Sequence, residues 1–166
     1  MKRTALRVVA LAFLFGSVCT GQGGKKDQTL VVMPFEKAVK GAAGFPEATR
    51  TVVIETMKDE ALFGAVLTPE EAAAKGITDA LQLTAKLIDF EAGSAAKRLL
   101  VGFGSGRAHA VFEFSLKDSK GEIWKKTIKS TASFWFNGST SSATERSELP
   151  EGIAKELAKE LKKRKP

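Results

Sequence analysis

The chain is poor in the residues from which many enzyme and metal sites are built. Its 166 residues include one cysteine, Cys19, and one histidine, His109. A single thiol near the start leaves the rest of the chain without a disulfide framework, a thiol nucleophile or a cysteine metal site. A single histidine excludes a histidine-rich metal site. The composition therefore predicts no metal centre and no bound cofactor.

Long hydrophobic runs are also missing. The apolar stretch at residues 8–15 (VVALAFLF) would span only ~12 Å as a helix, whereas a bilayer core is roughly 30 Å thick. Basic residues precede this stretch, and the small residues Gly16 and Ser17 follow it. This order is typical of an export signal, which we predict over residues 1–19. The alternative is an ordinary amphipathic first helix.

Cys19 stands where a bacterial lipoprotein carries its acylated cysteine. The end of the signal resembles a lipobox, but Val18 replaces a small residue and Gly16 replaces the usual leucine. Cleavage nearby by the general signal peptidase is the alternative. Cys19 is thus a lipidation candidate that would attach the protein to a membrane. The polar, glycine-rich residues 20–28 are predicted to form a flexible tether to a single domain at residues 29–166.

The positive charge does not indicate a nucleic-acid partner. Removal of Lys2, Arg3 and Arg7 with the signal lowers the formal charge from +7 to +4. Much of the remainder lies in residues 159–165, where no aromatic residue is interleaved. A basic helix end of this kind is typical of a solvated terminus that complements the helix dipole.

The first part of the domain has the pattern of a β-α-β crossover. Thr29–Met33 is a short apolar run stopped by Pro34, as in a buried strand. A helix is predicted from Phe45 to near Gly64, and an extended apolar run follows at residues 65–67. A strand, a helix and a strand in this order imply a parallel crossover.

A second, short helix is predicted directly afterwards. Thr68 can cap it, Pro69 occupies its first position, and Glu71 stands where a capping box requires an acid. The helix is expected to run through Ala74 and to end at Gly76.

Alternation with a period of two then predicts three long strands. Apolar residues alternate with polar ones from Leu81 to Leu87, and again from Ala108 to Leu116. A hairpin turn at residues 118–121 leads to a third strand at residues 122–136, with Trp124 and Ile128 among its apolar face. Local connections of this kind predict an antiparallel meander with one buried face.

The end of the chain is predicted to be a polar connection and a helix. Residues 137–147 are rich in serine and threonine, and Pro150 is expected to start a helix with Ile153, Leu157 and Leu161 on one face. The whole chain reads as α+β: a mixed sheet of about five strands, a β-α-β crossover followed by a three-stranded antiparallel meander, with helices on one face.

The glycine segment between the first two meander strands is the most distinctive part of the sequence. Gly102, Gly104 and Gly106 occupy every second position, with Arg98 before them and Arg107 after them. Such glycines can expose N–H groups to a phosphate, with the arginines adding charge. A dinucleotide fingerprint, however, needs a helix after the glycines, and here a strand follows; the Walker Lys-Ser/Thr pair is also missing. We therefore interpret the glycines as structural-loop residues, with a phosphate-binding or enzymatic domain as the alternative.

The run at residues 89–122 resembles a known family. The family pattern is a strand ending in glycine, a turn ending in arginine, a Gly-x-Gly-x-Gly stretch, and a long strand closing on Asp-x-x-Gly. This pattern is that of the bacterial envelope proteins grouped as domain of unknown function 4410. The resemblance of the chain to this family covers roughly residues 29–164. The element order, with Pro34-Phe35 after the first strand, is also similar to the curli-secretion lipoprotein and TolB amino-terminal type of domain. The resemblance implies a fold and an envelope location but no reaction.

Polar and aromatic side chains offer only weak candidates for function. His109 shares a strand face with Glu113, so an acid–base pair is conceivable, but no nucleophile accompanies them and a solvent-facing histidine is the simpler interpretation. Trp135 is predicted to point away from the buried face and, with Val111 or Ile88, to offer a partner surface. We therefore predict a non-enzymatic, exported envelope module that binds a protein or an envelope component. Its partner and oligomeric state stay open.

Overall fold

The computed structural model describes residues 28–92, 108–132 and 142–164. A mixed sheet of six strands and three helices account for most of these residues. The strands are β1 (Thr29–Val32), β2 (Glu36–Lys37), β3 (Ala65–Leu67), β4 (Leu81–Glu91), β5 (His109–Asp118) and β6 (Gly121–Thr131). The helices are α1 (Phe45–Asp59), α2 (Pro69–Ala74) and α3 (Ser142–Lys163).

The sheet combines a parallel half with an antiparallel half, as the sequence predicts. The strand order is β3-β1-β4-β5-β6, and β2 also pairs with β4. β1 runs parallel to β3 and β4, which confirms the crossover. β4, β5 and β6 pair antiparallel through local connections, which confirms the meander. The fold is α+β.

β2 is the strand that the sequence pattern does not reveal. It continues the line of β1 along β4, with Glu36 opposite Lys86. Pro34 has no N–H group and interrupts the ladder, but Met33 N donates to Leu83 O (2.9 Å) and Ala38 N donates to Leu87 O (3.0 Å) on either side of it. Two residues are too few to show a period of two, so the pairing rather than the pattern defines this strand.

The core lies between the sheet and the two long helices. The alternating apolar residues of β4 and β5 are buried, including Leu83, Leu87, Phe112 and Phe114, each with no exposed area. On β6, Ile128 is buried opposite Phe112, as predicted. α1 and α3 pack on this face, and both contribute buried side chains to one continuous cluster.

α2 lies on the opposite face of the sheet, at the β1–β3 edge. Val31 and Leu67 form a separate buried cluster with Ala72 of α2. The predicted capping box is confirmed: Glu71 N donates to Thr68 Oγ1 (3.3 Å), and Thr68 N donates to Glu71 Oε2 (2.8 Å). α2 thus covers only the parallel half of this face.

The start of the last helix differs from the prediction. α3 begins at Ser142, so residues 142–147 are helical rather than part of a polar connection, and Pro150 lies inside the helix. Leu149, Ile153 and Leu157 are all fully buried on one helix face. Burial of this stripe compensates for the missing proline N–H, so Pro150 does not mark the start of the helix that the sequence predicts there.

Candidate functional site

The site residues singled out from the sequence lie outside the described residues. They are Cys19, Arg98, Gly102, Gly104, Gly106, Arg107 and Trp135. The structure describes the residues on either side of the glycine segment, Ala92 before it and Ala108 after it. These residues adjoin the end of β4 and the beginning of β5, where two carboxylates and the only histidine also meet.

His109 forms a cluster with the carboxylates of β4. Its Nε2 lies 2.9 Å from Asp89 Oδ2, and its Nδ1 lies 3.8 Å from Glu91 Oε2. The pairing register places Glu91 directly opposite His109. The strand alternation suggests Glu113 as the partner of His109, whereas the structure pairs His109 with Asp89.

A β-bulge explains why the sequence did not reveal this cluster. The register between β4 and β5 shifts between Leu87 and Asp89, which leaves Ile88 as an extra residue that is 40% exposed. The bulge turns Asp89 toward the open face and Phe90 toward the core, where its ring centroid is 4.7 Å from that of Phe45. A strict alternation from Leu81 would place Asp89 on the buried face.

The cluster is electrostatically favourable for a carboxylate. The hydrogen bond from His109, supported by the charges of His109 and Lys129, lowers the pKa of Asp89 below its usual value. Within residues 28–92, 108–132 and 142–164, no group of three or more His, Cys, Asp or Glu side chains is placed to hold a metal ion. The arrangement holds a histidine between two carboxylates, next to both ends of the glycine segment.

A second polar arrangement crosses the open face of the meander. Glu36, Lys86 and Glu113 are neighbours in one row, because Glu36 pairs with Lys86 and Lys86 pairs with Glu113. Lys125 of β6 reaches into the same row, with its Nζ 2.9 Å from Glu113 Oε1. We call Glu36, Lys86, Glu113 and Lys125 the charge ladder. The signs of its side chains alternate across four strands.

The charge ladder borders a shallow depression of about 200 Å³. On its floor Ser115 Oγ donates to Glu122 Oε2 (2.6 Å), and Thr84 Oγ1 donates to Ser115 O (3.3 Å). The hydrogen bond and the charge of Glu113 raise the pKa of Lys125. These acidic and basic groups are already paired with one another. A group that transfers protons needs a pKa near the working pH and must be free to contact the substrate. The arrangement therefore suits a protein contact better than proton transfer.

The open face is charged rather than apolar. Ile88 is the one large hydrophobic side chain that is strongly exposed in the part of the chain that the structure describes, and Val111 is half-buried. The expected apolar patch around Trp135 therefore has a single exposed member among the described residues. In the same ranges, no helix combines the length and the apolar character needed to cross a membrane.

The family follows from a match over most of the domain. The model of the domain of unknown function DUF4410 matches residues 36–138, which include β2 to β6 and the glycine segment. The chain belongs to this family, and the resemblance noted in the sequence is confirmed. No curated protein matches the chain.

Solved structures show the same fold at low sequence identity. A Xanthomonas campestris protein described by the family model DUF330 is 15% identical, with a TM-score of 0.55 and 85% of each chain covered. The PelC dodecamer from Paraburkholderia phytofirmans is also 15% identical, with a TM-score of 0.51, 79% of this chain covered and 91% of that one.

Proposed function

We propose that this protein is an exported module of the bacterial cell envelope, attached to a membrane through Cys19, that acts by binding and assembly rather than by catalysis. The export and attachment steps are supported by the basic, apolar and small residues that precede Cys19. The first strand begins at Thr29. Residues 20–28 could therefore hold the domain up to roughly 30 Å from a bilayer surface, at about 3.3–3.6 Å per extended residue.

The observation that carries the binding role is the charge ladder on the uncovered half of the sheet. It is a row of alternating charges whose rim is exposed, and its best-defined contact is an ion pair, not an activated group. Alternating charge gives orientation and partner choice to a contact. The dodecamer formed by PelC, a protein of the same fold, supports an assembly role.

Fractionation of cells tests the attachment. We expect the parent chain in the membrane fraction and the Cys19→Ala variant in the periplasmic fraction, because several acyl chains are needed for stable anchoring and the variant has no site for them. Ser17→Ala, which keeps a small residue at the cleavage region, is the matched control and should fractionate like the parent. Cytoplasmic protein in all three cases would contradict export, and periplasmic parent protein would contradict anchoring.

The alternative function is binding of a phosphate or nucleotide by the glycine segment, and a calorimetric titration tests it. The segment joins β4 and β5 beside the His109 cluster, with Arg98 and Arg107 as its cationic candidates. Nucleotides and sugar phosphates titrated into the purified domain should give no saturable heat. Micromolar binding that is lost in Arg98→Ala would instead overturn the proposed binding-only role.

A further inference from the structure

We propose that the open face of β4, β5 and β6 docks onto the same face of a second copy of this chain, and that the charge ladder fixes how the two copies meet. The inference rests on the proposed binding and assembly role and names its partner. It requires only residues that the structure describes.

The charge ladder is complementary to itself under a two-fold rotation. Read from β2 to β6, its signs are negative, positive, negative and positive, at Glu36, Lys86, Glu113 and Lys125. A two-fold axis parallel to the strands, lying over the gap between β4 and β5, reverses this order in the second copy. Glu36 then faces the partner's Lys125, and Lys86 faces the partner's Glu113. Every ladder charge meets one of opposite sign, as an isologous interface requires.

The same rotation also avoids like charges at the two ends of β4 and β5. At its far end Glu91 would face the partner's His109, since these two residues are direct register partners on β4 and β5. At the other end Gln82 would face the partner's Lys117, for the same reason. Neither pair brings like charges together. α2 covers only the β1–β3 edge, so the meander half of the face is uncovered in the described part of the chain.

The chemistry of the face argues against other occupants. Its ladder has no net charge, whereas nucleic acids and anionic lipids are bound by a surplus of positive charge. Among the residues that the structure describes, Ile88 is the one strongly exposed large hydrophobic side chain, which is too little for an apolar ligand or a lipid surface. Alternating charges select a partner that carries the opposite alternation, and this chain itself carries it.

The size of the face sets the expected strength. Three strands spaced ~4.8 Å apart, with ~3.3 Å per residue along each, offer roughly 500 Å² per protomer. Stable complexes bury about 800 Å² per partner, so the dimer should be weak, with a Kd in the micromolar range or above it. Because its contacts are largely electrostatic, it should also weaken as salt is added.

Charge reversal tests the arrangement. Residues 20–166 would be studied by sedimentation velocity over a range of concentrations, at about 50 mM and about 500 mM salt. We expect the parent to dimerise reversibly, and less so at high salt. Lys86→Glu and Glu113→Lys should each weaken dimerisation at least tenfold, since each brings like charges together twice across the axis. Lys155→Glu, on the exposed side of α3, is the matched control and should dimerise like the parent.

A mixture of the two single variants distinguishes a contact between copies from a contact within one copy. An equimolar mixture of Lys86→Glu and Glu113→Lys should form a mixed dimer, because each variant supplies the charge that the other has lost. The double variant Lys86→Glu/Glu113→Lys should again dimerise with itself. Within one protomer the double variant also restores opposite charges at the paired positions 86 and 113, so its recovery alone does not show a contact between copies, whereas recovery in the mixture does.

The result that would overturn the inference is a parent that stays monomeric at low salt and high concentration. A mixture of the two single variants that stays monomeric would overturn it equally. Circular dichroism of each variant shows whether it is folded, and the mixture needs only the two single variants to fold. Either negative result leaves the proposed membrane attachment intact, because fractionation of Cys19→Ala measures that attachment separately.

Discussion

At the scale of single residues, the Arg50 side chain hydrogen-bonds to the backbone at the end of the first strand. Arg50 lies on α1, and its side chain is only 11% exposed. Its Nε and Nη2 both donate to Val32 O, at 3.2 and 2.9 Å, and its Nη1 donates to Glu47 Oε1 at 3.0 Å. Val32 is the last residue of β1 before the interruption by Pro34. Arg50 thus supplies hydrogen bonds at a point where the ladder is broken.

Arg50→Met should lower the free energy of unfolding by about 2 kcal/mol, because a hydrogen bond to a charged group contributes ~1.5–3 kcal/mol and Val32 O would lose its donor. Methionine keeps most of the apolar stem. The measurement is urea unfolding followed by circular dichroism. Glu47→Gln is the control, and it should change stability by less than ~1 kcal/mol, since the ion pair is at the surface. An Arg50→Met variant as stable as the parent would refute the role of Arg50.

The His109 cluster makes a pH-dependent prediction. The folded-state pKa of Asp89 is lowered, mainly by the hydrogen bond from His109. A lowered folded pKa means that the contribution to stability is present above the unfolded pKa, near 3.8, and is lost as the pH falls through the folded pKa. His109→Phe removes the donor, so the pKa of Asp89 should rise toward its ordinary value.

The pKa of Asp89 can be measured by an NMR titration of its carboxyl carbon. Glu113→Gln is the matched control, because it changes a carboxyl of the same sheet face that does not bond to His109, and Asp89 should titrate in it as in the parent. Identical Asp89 titrations in His109→Phe and the parent would show that the hydrogen bond is not formed in solution.

At the scale of elements, α3 and β6 are in close contact at Gly152. A β-carbon on Gly152 would overlap Ser130 Oγ and stand 3.3 Å from Ser130 Cβ. Lys126 of β6 also bonds to Glu160 of α3, with Nζ and Oε2 3.2 Å apart. The helix therefore presents Gly152 to the strand, and the ion pair of Lys126 with Glu160 links the two elements nearby.

Gly152→Ala should lower stability by about 1–2 kcal/mol, because overpacking outweighs the gain of ~1 kcal/mol in helix propensity. Ser130→Ala in the same background removes the overlapping oxygen and should recover ~1 kcal/mol or more, whereas Ser130→Ala alone should be close to neutral. Thermal unfolding of the four chains completes the cycle. If Gly152→Ala alone is more stable than the parent, the close approach is wrong.

The elements that could be predicted are those whose signals are local. β4 and β5 alternate over many residues, and the capping box of α2 is contained within residues 68–71. The features that were missed depend on contacts made elsewhere in the chain. β2 is defined by its pairing with β4, and the bulge at Ile88 depends on the register of β5. The start of α3 was misplaced because burial of Leu149 outweighs a proline signal.

The candidate sites could be predicted even less well. The glycine segment and Trp135 are conspicuous in the sequence, yet they lie outside the described residues. The His109 cluster and the charge ladder are assembled from strands that pair at a distance, with Glu36 and Lys125 separated by much of the domain. No spacing in the sequence reveals such a row, because it depends on the register of three strand pairs.

At the scale of the whole molecule, the two faces of the sheet differ in how far the described helices cover them. One face is closed by α1 and α3, which are joined at the surface by Lys162 Nζ and Glu60 Oε2, 2.6 Å apart. The edge strand β6 carries Lys125, Lys126 and Lys129, and charged residues of this kind discourage an additional strand from pairing there. In the described residues, no helix covers the meander half of the other face, which is the surface proposed above to meet a second copy.

The mass of the N-terminal peptide, from protein extracted from cell membranes, shows whether the chain is an exported module anchored at Cys19. We predict a peptide that begins at Cys19 and carries the added mass of acyl chains. A peptide that begins after Cys19 would exclude attachment through Cys19 but would still agree with export. A peptide that still begins at Met1, with no shorter form in any fraction, would contradict the claim.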